Sequence, residues 1–185
     1  MNKKIASVAL IFLTALSAGC SITADRYHPT ADNQQHIKSF NVKMNVAEFT
    51  AEKTEYNFLC RLANTVGLPD KNSFEEYIQN ALIEELKMAG MFSIDSEITI
   101  YGHLNETSVS SGMTDAHWTF DITISNSQGD SFDIRHKREY SASFLGDIAC
   151  SNDMPKSLMP SVQELVREII NHHKFNIMFL DQHVN

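Results

Sequence analysis

Apolar and polar positions alternate through the middle of the chain. Ile98, Ile100, Gly102 and Leu104 alternate with Thr99, Tyr101, His103 and Asn105. Trp118, Phe120, Ile122 and Ile124 alternate with His117, Thr119, Asp121 and Thr123. Phe132, Ile134, His136, Arg138 and Tyr140 follow the turn residues Asn126, Ser127, Gln128 and Gly129. A period of two sends successive side chains to opposite faces, so these stretches predict three strands, each with one face toward a core. The same period over Phe40, Val42, Met44 and Val46 predicts an earlier strand, and Tyr56–Leu62 is expected to be extended.

Two stretches have helical spacing instead. Phe74, Tyr77, Ile78, Ala81, Leu82, Leu86 and Ala89 fall at i, i+3, i+4 intervals behind Ser73, and Glu76 stands where a capping box needs it. Gly90 fits the left-handed position beyond the end of that helix. After a break expected at Pro155 to Pro160, Ser161 is expected to open a second amphipathic helix with Val162, Leu165, Val166, Ile169 and Ile170 as its stripe. Phe175–Leu180 reads as a short strand or docked tail. The order predicts an α+β fold: an antiparallel sheet of about four to five strands with two amphipathic helices packed on one face.

The N-terminus follows another rule. Lys3 and Lys4 precede an apolar run, Ile5 to Leu16, and then Ser17-Ala18-Gly19-Cys20. Twelve residues are too few to cross about 30 Å of hydrocarbon, so the pattern reads as a cleaved signal segment. The ending resembles the lipobox of bacterial lipoproteins of the Gram-negative type, with Ser17 where the family most often has Leu. That resemblance implies that Cys20 becomes the acylated first residue of the mature chain and that Ser21 directs it to the outer membrane. The expected organisation is signal peptide 1–19, acylated Cys20 with a flexible tether to residue 36, and a single periplasmic domain over 37–185. Residues 21–35 have little apolar periodicity, as a tether would. With Cys20 committed to lipid, Cys60 and Cys150 remain as an even pair in an oxidising compartment and are expected to form a disulfide. Zinc is the less favoured reading, because neither Cys has a close partner in the sequence.

The full chain has 185 residues, enough for one core, with 15 Lys and Arg against 23 Asp and Glu. Removal of residues 1–19 leaves 13 cationic against 23 acidic side chains, a net charge of −10, which argues against nucleic-acid binding. The basic run Arg135-His136-Lys137-Arg138 makes Arg135, Lys137 and Arg138 candidates for contact with an anion, although a strand divides them between two faces. His103, His117 and His136 lie on successive predicted strands, but their spacing does not require a metal, and no metal or other cofactor is expected. His172 and His173 suit a helix C-terminus as cations. No Gly-x-Ser-x-Gly, phosphate loop, Gly-x-Gly-x-x-Gly or His-Glu-x-x-His occurs, and the chain is not expected to be an enzyme.

The run Ala81 to Phe92, with Ala89-Gly90, followed by Ile98-Thr99-Ile100-Tyr101-Gly102, resembles the YajG-like lipoproteins and the domains similar to the N-terminal part of TolB. That resemblance implies an assembly or interaction module and supplies no binding residues. The expected function is therefore that of an outer-membrane-anchored, non-catalytic interaction module with another envelope protein as partner. The alternative is a lipoprotein that binds a ligand or lipid in a pocket between sheet and helices, lined by aromatic residues such as Phe58, Phe74, Trp118, Phe120 and Phe144.

Overall fold

A computed structural model describes residues 22–180 of the chain. Its centre is the predicted three-strand meander: β6 (Thr99–Ser110), β7 (His117–Ser125) and β8 (Ser131–Glu139), paired antiparallel in chain order. Five shorter strands precede them: β1 (Ile22–Thr23), β2 (Asn45–Val46), β3 (Thr50–Ala51), β4 (Asn57–Cys60) and β5 (Asn64–Gly67). Both β2 and β3 pair in parallel with β6, one after the other along the same edge. A second sheet has the order β1-β5-β4, with β1 parallel to β5 and β4 joined to β5 as a hairpin. The fold is α+β as expected, with parallel edge strands added to the antiparallel meander.

The inner face carries the residues that the alternation selects: Ile100, Leu104, Trp118, Phe120, Ile122, Ile124, Phe132 and Ile134 are all buried. A bulge at Asn105 changes the register of β6 against β7 from Leu104 opposite Ile122 to Glu106 opposite Asp121. One extra residue exchanges the two faces, so Val109 turns inward opposite Trp118. Gly102 lies beneath the ring of Phe49; a Cβ there would stand 2.5 Å from the ring.

Helix α1 (Ala31–Phe40) comes before β2, and α2 (Phe74–Met88) follows β5. The Ser73 box forms: Ser73 Oγ accepts the Glu76 N–H at 3.3 Å and a Glu76 carboxylate oxygen accepts the Ser73 N–H at 2.7 Å. After the short α3 (Gly146–Ile148) and a π-type turn over Ala149–Asp153 come α4 (Met154–Asn171) and α5 (His173–Phe179). Both α2 and α4 lie against the sheet, α4 over β7 and β8, while α1 touches both helices. Trp118 Nε1 donates to Ser157 Oγ at 2.8 Å and fixes β7 to α4 within the core.

Three expectations are corrected. The Phe40–Val46 strand shrinks to Asn45–Val46, because Thr30 caps a helix that continues to Phe40 and Asn41 ends it in the left-handed region. The tether expected to residue 36 is docked from Ile22 onward, where β1 joins β5 and Ala24 and Asn33 are buried. The second helix starts at Met154, not Ser161. Pro155 occupies the first turn, where a missing N–H is tolerated, and the buried Ser161 hydroxyl donates to the Ser157 carbonyl at 2.8 Å within a helix that passes through Pro160. Of the two readings of Phe175–Leu180, the docked tail holds, as helix α5 with Phe175 and Phe179 in the core.

A buried carboxylate helps to hold the N-terminal segment. Glu85 is fully buried, and its Oε1 accepts from Tyr27 Oη at 2.7 Å, the Thr30 N–H at 2.9 Å and Asn33 Nδ2 at 3.0 Å. Burial, and then the bond to Glu85, push the Tyr27 phenol well above its ordinary range, which keeps it a donor.

Candidate functional site

At one end of the molecule the β4–β5 hairpin turns through Arg61 and Leu62, at φ of +48° and +58°. Neither is glycine, and left-handed backbone disfavours side-chain-bearing residues, so the surroundings must hold the turn. They do so at several points. The Ala63 N–H donates to the Cys60 carbonyl at 3.1 Å, and the Arg61 N–H donates to Ser111 Oγ at 2.9 Å. The Arg61 guanidinium donates to the Ser111 carbonyl at 3.3 Å, to the Phe144 carbonyl at 2.8 Å and to the Ser143 carbonyl. Cys60 and Cys150 form a disulfide with a Cα–Cα distance of 5.5 Å. The hairpin tip, the end of β6 and the loop before α3 are thereby joined into one frame, called the apex below.

This frame presents apolar side chains to water. Leu62 is 91% exposed and Phe144 77% exposed, and Leu59, Met113, Leu145 and Ile148 are exposed as well. Leu59, Leu62, Val109 and Met113 line an open groove of about 420 Å³, together with Arg61 and the Ser110–Gly112 stretch. Single exposed apolar residues are ordinary, but a group of them on a cross-linked frame is a feature of contact surfaces. The arrangement has the properties of a pre-formed docking surface: its backbone is fixed before any partner arrives, so little ordering would be lost on contact.

The other sequence candidates are placed differently. Arg135 lies between Glu106 at 3.0 Å and Asp121 at 2.9 Å, Lys137 pairs with Glu139 at 3.2 Å, and Arg138 pairs with Glu164 at 3.1 Å. The three do not converge, and each is opposed by a carboxylate. His103 bonds Thr50 Oγ1 at 2.8 Å, His117 the Asp115 carbonyl at 2.5 Å, and His136 Glu168 at 2.9 Å. Among the described residues no group of His, Cys, Asp and Glu has a metal-holding arrangement. His172 ends α4, its N–H donating to the Ile169 carbonyl at 3.2 Å. Its ring stacks on Phe132 at 4.3 Å, its Nδ1 accepts the Lys174 N–H at 3.3 Å to cap α5, and partial burial lowers its pKa. Cys20 lies outside the described residues.

The aromatic residues considered for a ligand cavity fill the core instead. Trp118 meets Phe58 at 4.7 Å between ring centroids, and Phe74 packs on Phe58, Trp118 and Phe120 at 6.0 to 6.2 Å. Phe144 points away from them into solvent. A second hollow, about 430 Å³, opens at the surface between Arg26, Tyr27 and α2, lined by polar groups including Asp70, Asn80, Glu84 and Lys87.

The class defined by these features is a two-layer α+β domain with a disulfide-braced apolar apex. No family model and no curated protein matches the chain. Among solved structures, the chain is similar to protein XCC0632 from Xanthomonas campestris, a DUF330 protein, with 12% identity and a TM-score of 0.48 over 80% of this chain and 93% of that one.

Proposed function

We propose that the chain is a lipoprotein held at the outer membrane by acylation of Cys20, and that it acts without catalysis, by contact between its apex and another component of the envelope. The observation that carries the contact reading is the Arg61-braced frame, which displays Leu62, on left-handed backbone, and Phe144 to water. The anchor reading is supported by the sequence from Lys3 to Cys20. The filled aromatic core favours contact over ligand enclosure. A photo-crosslinking residue at Leu62, compared with one at the exposed Ile94 in the loop before β6, tests the proposal in whole cells. Adducts with an envelope component are expected from position 62 and not from position 94. Equal yields at both positions, or none, would remove the apex from the account.

A further inference from the structure

We propose that the apex is the membrane-facing surface of the protein: Leu59, Leu62, Met113, Phe144, Leu145 and Ile148 rest on a zwitterionic phospholipid bilayer, alongside the acyl chains on Cys20. The inference rests on the reading that Cys20 is acylated, and it names the occupant of the apex.

Strand direction carries the argument. Ile22 lies opposite Val66 and Thr23 opposite Gly67 in a parallel pair. Since β5 runs from Asn64 to Gly67, away from the Arg61–Leu62 turn, the chain enters β1 from the turn's side and then leads away from it. Val66 is two residues beyond Asn64, about 7 Å along the strand. Cys20 is two residues before Ile22 in the sequence, and two residues of trans chain span at most about 7 Å. An acyl anchor at Cys20 therefore holds the bilayer at the end of the molecule where the exposed apolar side chains stand. The opposite end of β6, near Ile94, is about 37 Å away across the 12 residues of the strand.

The charges select the kind of surface. Arg61 has its guanidinium on the carbonyls of Ser111, Ser143 and Phe144, and at the same end of the sheet Lys137 pairs with Glu139 and Arg138 with Glu164. Asp115, Asp147 and Asp153 stand among the same loops; Asp115 accepts from Ser110 Oγ at 3.1 Å, and Asp153 accepts the Ser143 N–H at 2.8 Å. Such a rim gains nothing from anionic headgroups, so the contact is apolar. A single acyl chain binds membranes reversibly, and firm attachment takes a second contribution; the apolar apex adds to whatever chains Cys20 carries. Among the described residues no helix is long and apolar enough to cross a membrane, so the contact is one of resting on the bilayer.

Depth-dependent quenching tests this with the acylated protein in phosphatidylcholine vesicles. Trp118, the chain's single tryptophan, is fully buried and provides a constant background. Phe144→Trp and Ile94→Trp each add one exposed indole. With brominated acyl chains in the vesicles, the Phe144→Trp protein should lose most of its added emission and the Ile94→Trp protein none, and phosphatidylglycerol should not strengthen the effect. Vesicles that carry the protein but quench the two variants equally would overturn the inference and leave the anchor standing. Protein that does not float with vesicles would overturn both. Emission at position 144 that blue-shifts with protein concentration and not with lipid would make a second copy the occupant and overturn the membrane assignment.

Discussion

The disulfide offers the sharpest quantitative test of how the apex is built. Cys60 and Cys150 are separated by 90 positions and both are buried. The chain-entropy relation for a loop of that length gives about 4.6 kcal/mol at 25 °C, and native bridges removed from small secreted domains cost roughly 2 to 5 kcal/mol. Alanine is the cleaner replacement, since a serine hydroxyl would be buried at either site beside apolar neighbours. A Cys60→Ala, Cys150→Ala protein should therefore lose about 3 to 5 kcal/mol, or roughly 6 to 20 °C in Tm for a domain of this size. The loss should be uneven in space. Helix α4 has its own apolar stripe in the core and the Trp118–Ser157 bond, whereas the Asn57–Gly67 hairpin and residues 143–153 are joined by the bridge and by Arg61. Urea titration gives the energy, and amide exchange gives its location, with protection falling first in the hairpin and in residues 143–153. An unchanged midpoint on reduction, or exchange that rises in α4 before the hairpin, would refute this reasoning.

Three further outcomes are expected. Gly102→Ala places a Cβ 2.5 Å from the Phe49 ring and should cost about 1 to 3 kcal/mol by chemical denaturation, with recovery in a Phe49→Leu background. Leu62→Gly relieves a left-handed backbone at a residue with almost no burial; it should gain up to about 1 kcal/mol while reducing contact at the apex, so stability and function would move in opposite directions. Burial raises the phenols of Tyr27, Tyr77 and Tyr140, the last to about 12, while an unfolded tyrosine ionises near about 10. The fold therefore retains protons that the unfolded chain releases: this stability is complete below pH ~10 and declines above it, and Tyr27→Phe should flatten the decline seen in melting temperature.

The meander and the α2 stripe were legible because packing imposes a period on them: Phe120 and Ile122 on one face, Ala81 and Leu82 on another, are what a half-buried strand and helix require. Helix α1 was not legible. Its buried residues are Ile37 and Asn33, and it is held in place by the Asn33 and Thr30 bonds to Glu85, 52 and 55 positions away, which no local pattern records. Glu85 itself reads as a solvated helix residue until the segment that covers it is in position. Pro160 hid the first two turns of α4, because local propensity places a break where the tertiary fit of Leu158 and Val162 carries the helix through. At the apex, the Cys60–Cys150 pairing could be read from the cysteine count. Leu62, Met113 and Phe144 could not, since isolated apolar residues in loops have no period, and the retrospective signal is that they belong to no stripe at all. In the basic run from Arg135 to Arg138, adjacency in sequence conceals the carboxylates that β6, β7 and α4 set opposite Arg135 and Arg138.

The anchor is the part of the account on which the membrane assignment depends. Mass spectrometry of the mature N-terminus, from protein expressed at native level, tests it most directly. The account predicts a chain beginning at Cys20 and carrying acyl modification, and a Cys20→Ser protein that leaves the membrane fraction. An N-terminus elsewhere, or an unmodified Cys20 in protein that still sediments with the membrane, would contradict it.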